Sequence, residues 1–105
     1  MAETVTAKVL RGARLLDKKY PGWEKKISLP ELDLNSCEVC VLGQLYGIYE
    51  TGLGQVFEDG DRSDGFKRYH YGFSDLGTKD RMRHLTQVWG RLILSRLAKL
   101  FNNGG

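Results

Sequence analysis

Two cysteines, two prolines and two histidines are spread over 105 residues, and each scarcity excludes something. Cys37 and Cys40, three positions apart, cannot build the disulfide framework of a small secreted domain. Near the C-terminus the longest apolar run is Leu92–Leu94, far short of the roughly 20 residues of a membrane span. Glu3 and Lys8 interrupt the N-terminus where a secretion signal needs an apolar core. No repeat of about 20–50 residues is visible, which excludes solenoids and propellers. These absences point to a cytoplasmic protein with no membrane association.

Hydrophobic residues make up 41% and charged residues 28%, a globular balance rather than a disordered one. Residues 1–105 therefore read as a single domain with frayed ends at 1–3 and 102–105. A domain of this size buries roughly 60–70% of the surface its unfolded chain exposes and folds without metal or disulfide.

Charge is segregated along the chain. Residues 1–26 carry a balance of +4, residues 27–78 of −6, and residues 79–105 of +5, within a net charge of +3. Opposite charges attract within one small domain, so the basic ends are expected to fold back onto the acidic middle. An external anionic partner is the competing expectation.

Apolar spacing predicts a mainly α protein, a compact bundle of three long helices plus one short helix. Val5, Val9, Gly12, Ala13, Leu16 and Tyr20 share one face of a helix over 4–19, with Thr4 as N-cap and Pro21-Gly22 as stop. A connector over 20–35 is pinned by Trp23, Ile27, Leu29 and Leu32. The second helix is expected to start at Asn35 or Ser36, with Glu38 completing a capping box, and to continue to Leu53. Phe66, Tyr69, His70 and Phe73 predict a short third helix after a polar turn over 58–65. Met82, Leu85, Val88, Trp89, Leu92, Ile93, Leu97 and Leu100 predict a last helix from Thr78 to Phe101.

Few residues offer chemistry. Cys37-Glu38-Val39-Cys40 has redox spacing, but the strand that precedes a thioredoxin-like motif is not readable here. Cys37, Cys40, His70 and His84 are the right types for zinc, yet their separations do not match a finger. Cys40 with a histidine is a conceivable nucleophile and base, without an Asn or Asp placed to orient it. Asp59, Asp61 and Ser63 open like a calcium loop, but Asp64 and His70 stand where Gly and Glu are needed. No catalytic set survives, and no enzyme activity or cofactor is expected.

Two features suit binding instead. Cys40, Gly43, Gly47 and Gly54 gather on the second helix opposite its apolar face. Interior glycine costs a helix about 1 kcal/mol, so a close-packed neighbour or an open notch is expected at Cys40, Gly43 and Gly47. On the first helix Arg11, Arg14 and Lys18 form a basic stripe that can track phosphates, with Tyr69 or Tyr71 available to stack on a base.

The stretch from Leu32-Asp33-Leu34-Asn35-Ser36-Cys37 through Cys40-Val41-Leu42-Gly43-Gln44-Leu45-Tyr46-Gly47 resembles a segment of short proteins of actinobacterial phages and prophages. Arg11-Gly12-Ala13-Arg14-Leu15-Leu16-Asp17, Pro21-Gly22-Trp23, Tyr71-Gly72-Phe73 and Leu85-Thr86-Gln87-Val88-Trp89 are similar to the same family, while the acidic 58–64 loop and the basic end of the last helix are less typical of it. The resemblance implies a phage accessory gene. It assigns no activity and no site residues. The functional expectation is a non-enzymatic protein that binds a host or phage protein. The alternatives are nucleic-acid binding through the first helix, and a metal or small-molecule site near Cys40.

Overall fold

Thr4 sets the first helix. Its hydroxyl accepts from the Ala7 amide at 3.1 Å, satisfying one of the donors a helix start leaves open. The computed structural model describes residues 4–57, 66–74 and 78–104. In it α1 spans Val5–Lys19 and buries Val9, Gly12, Ala13 and Leu16. Two 3-10 turns follow, Trp23–Lys26 and Leu29–Glu31, then α2 (Val41–Tyr46), α3 (Tyr49–Val56), α4 (Phe66–His70) and α5 (Lys79–Gly104). No strand occurs among the described residues, and the chain is mainly α as its spacing predicts.

The helix count differs from expectation. Only α1, of 15 residues, and α5, of 26, are long. The single rod expected from Asn35 or Ser36 to Leu53 is instead a loop followed by two short helices. Local bonds explain the late start. Asp33 accepts from the Asn35 amide at 2.9 Å, and the Ser36 hydroxyl accepts from Glu38 and Val39 at 3.3 and 3.4 Å. Such side-chain bonds give the backbone an alternative to the helix. Cys40, not Asn35, caps α2. At Gly47 the backbone turns to φ +96°, which ends α2 and lets α3 fold back.

α4 matches the short helix predicted from Phe66 onward. α5 runs on to Gly104, past the Phe101 end and into the expected frayed tail. The polar turn over 58–65 lies outside the described residues, as do 1–3 and 105.

Two tryptophans organise the core. Trp23 and Trp89 are fully buried and meet edge to face with centroids 5.8 Å apart, while Phe73 stacks on Trp89 at 5.6 Å. Each such side chain contributes about 1.5–3 kcal/mol by leaving water, with up to about 1 more from ring geometry. α1, α5 and the first 3-10 turn meet here, and α3 also packs on α1. Gly12 makes the closest approach possible, because a Cβ there would run into the Tyr71 carbonyl.

Five of the nine acids of the acidic middle, Glu58, Asp59, Asp61, Asp64 and Asp75, lie outside the described residues, and with them most of the expected contact between it and the basic ends. Arg96 of α5 reaches Asp17 at 2.6 Å and Glu24 at 3.0 Å, so the C-terminal helix is tied to the N-terminal segment. Glu31, Asp33, Glu38 and Glu50 stay exposed.

Candidate binding surfaces

α1 and α5 run side by side and leave a groove of about 470 Å³ between them. Thr6 and Leu10, one helical turn apart, form one wall; Val88, Leu92, Ser95 and Lys99 form the other, with Arg91 and Arg96 beside them. Leu10 is 37% exposed although it is a large apolar residue, so apolar surface is left in the open groove. The three cations around it are not equivalent. Arg96 is held by Asp17 and Glu24, and although burial lowers its affinity for a proton, the hydrogen bonds and the negative charges of the two carboxylates together outweigh it and the net shift is upward. Arg91 and Lys99 are exposed and pair with no acid among the described residues.

The predicted basic stripe lines a second, smaller depression of about 210 Å³ with Leu15 and Tyr71. Arg11, Arg14 and Lys18 are therefore brought together, but in different states. The Arg11 guanidinium donates to the His70 carbonyl at 2.6 Å and lies 3.2 Å from its Nδ1, fastening α1 to α4. Arg14 and Lys18 are exposed and carry no ion pair among the described residues. Lys8, which shares the basic side in sequence, is buried with its ammonium 3.5 Å over the Tyr69 ring. That cation–π contact removes it from any solvent-facing role.

The cysteine segment is built for structure. Cys40 Sγ accepts from the Gly43 amide at 3.2 Å and faces the Cys37 carbonyl at 3.9 Å. Burial pushes its thiol up, against the lowering effect of the Gly43 amide, so the helix start does not activate it. Cys37 is exposed, His84 is exposed on α5, and His70 packs beside Arg11 and Tyr71. The four candidate metal ligands Cys37, Cys40, His70 and His84 are not brought together, and among the described residues no three His, Cys, Asp or Glu side chains group for a metal ion.

The glycine notch is closed from within. Cys40 and Gly43 are buried, and a Cβ at Gly43 would strike the backbone of Cys37 and Glu38, the loop that replaced the expected first turn. Gly47 is exposed and faces nothing within 4 Å, its role being the turn between α2 and α3. Cys40, Gly43 and Gly47 thus line no shared opening. Sequence reading missed the groove residues Leu10, Arg91 and Lys99. The available signal was Leu10, an apolar residue off the buried stripe of α1 and one turn from Arg14.

No protein-family model matches this chain, and none of the curated proteins or solved structures matches it.

Proposed function

We propose that this chain is a non-enzymatic binding protein whose α1–α5 groove takes a segment of a partner protein, an apolar side chain flanked by acids. One observation carries the reading: exposed Leu10 and half-buried Leu92 lie in the same groove as Arg91 and Lys99, two cations with no acid opposite them among the described residues. An apolar floor supplies affinity and a charged rim supplies orientation and encounter rate. The phage resemblance of the Cys40–Gly47 run supports a host or phage protein in the cytoplasm as that partner.

A photoreactive amino acid at Ser95 tests this in expressing cells. It is expected to capture one discrete protein, and Arg91→Glu with Lys99→Glu is expected to erase that adduct. The same adducts from a label at Gln55 on α3 would refute the reading.

A second reading rests on the Arg11, Arg14, Lys18 and Tyr71 depression, where Arg14 and Lys18, without an ion pair among the described residues, stand beside an aromatic ring and could hold a nucleic-acid backbone. Arg14→Glu with Lys18→Glu should then lower retention on single-stranded RNA or DNA about tenfold or more, with steep salt dependence. Arg11 is left intact in that test because it holds α4.

A further inference from the structure

Residues 27–57 contain Glu31, Asp33, Glu38 and Glu50 and no lysine or arginine. All four acids are exposed, and among the described residues none has an ion-pair partner. In the same segment Ile48 is 42% exposed at the junction of α2 and α3. The Tyr49 amide donates to the Cys37 carbonyl at 2.8 Å, which lays the 37–38 backbone against the 48–50 backbone. Glu38 and Glu50 are the chain neighbours of the two residues so joined. Arg68 lies over the face of the Tyr49 ring, at 5.9 Å. The chain therefore displays at α2–α3 an exposed apolar residue whose backbone lies close to that of two acids, and on α1–α5 an apolar groove beside cations that pair with no acid among the described residues.

We infer that a second copy of this chain fits the groove, with Ile48 of one copy entering beside Leu10 and Leu92 of the next and Glu38 and Glu50 meeting Arg91 and Lys99. The inference rests on the groove being a docking site, as proposed above. The contact pairs two different surfaces of the chain, so it closes reciprocally as a two-fold dimer or continues head to tail as a ring or chain. A single isoleucine and four charges make a small interface, which belongs with weak, concentration-dependent association. Opposite charges steer the encounter, and salt weakens it.

Sedimentation velocity over a roughly hundredfold range of concentration tests this. The weight-average sedimentation coefficient is expected to rise with concentration at low salt. Arg91→Glu with Lys99→Glu, or Glu38→Lys with Glu50→Lys, should weaken association about tenfold or more, and all four reversals in one chain should restore it. These positions are exposed, so helical circular dichroism is expected to stay unchanged in every variant. A wild-type chain that stays monomeric throughout, or association that survives either pair of reversals, overturns the inference. Monomeric protein that still captures one foreign protein at Ser95 sinks the self-pairing and leaves the groove reading standing. Association lost on groove reversal, with no foreign adduct at Ser95, keeps the self-pairing and removes the foreign partner.

Discussion

Trp89 donates its indole hydrogen to the Gly72 carbonyl at 2.6 Å, both of them buried. The bond joins the long C-terminal helix to the turn after α4, and that turn lies on α1 at Gly12. One polar contact thus coordinates three elements inside an aromatic core. Trp89→Phe keeps most of the ring stack with Phe73 but leaves the Gly72 carbonyl without its donor. We expect a loss of about 1–3 kcal/mol in denaturant unfolding, with the helical signal of the folded state retained. An unchanged midpoint would mean that the bond contributes nothing net.

Much of this core was legible in the sequence and part of it was not, for physical reasons. α1 and α5 are long enough for a 3.6-residue period to repeat several times, so Val9, Ala13, Leu16, Leu85, Trp89 and Ile93 announce their faces. The stretch from Asn35 to Leu53 shows a similar period, yet it breaks twice. Short bonds from Asp33 and Ser36 outcompete the first turn, and Gly47 turns the backbone where a spacing argument sees only one tolerated glycine. The groove was invisible because it depends on how two helices align, which no single-helix pattern contains. Arg96 shows the same limit. Nothing local says that it meets Asp17, 79 positions away.

That ion pair leads to a second expectation. The Arg96 side chain is 26% exposed, and Glu24 opposite it is 12% exposed. Removing the guanidinium leaves Glu24 without its cation in a mostly buried place, a larger loss than a surface pair would give. Arg96→Met preserves much of the side-chain volume and should destabilise by about 1–3 kcal/mol. Arg96→Met with Glu24→Gln should recover part of that loss. A double-variant cycle with no coupling would show that the pair is decorative.

Cys40 makes stability depend on alkaline pH. Burial pushes its thiol up, so the folded chain keeps that proton after the unfolded chain has released it. Stability is then level below the ordinary thiol range, near pH 8.5, and declines as pH rises above it. The Tyr46 phenol, raised by burial and by neighbouring Tyr20, extends the decline in the same direction. Denaturant midpoints at pH 7 and about pH 9.5 are expected to differ, with the higher value at pH 7. Cys40→Ser keeps an acceptor for the Gly43 amide and removes the thiol's titration, so this difference should shrink. Alkylation of the native protein should modify exposed Cys37 well before Cys40.

Three glycines that look alike on a helical wheel should respond in three ways. Gly43 packs against the Cys37–Glu38 backbone, so Gly43→Ala must move main chain and should cost about 1–3 kcal/mol. Gly47 has open space but sits at φ +96°, so Gly47→Ala should cost about 1–2 kcal/mol through backbone strain alone. Gly54 lies exposed within α3 with nothing within 4 Å, so Gly54→Ala should stabilise by up to about 1 kcal/mol through helix propensity. Urea unfolding of the three variants ranks them directly. If Gly43→Ala is neutral, the loop against α2 is loose and the face could open to a partner after all. If Gly54→Ala destabilises as much as Gly43→Ala, then α3 has a neighbour on that side in solution, most simply another copy meeting the α2–α3 surface.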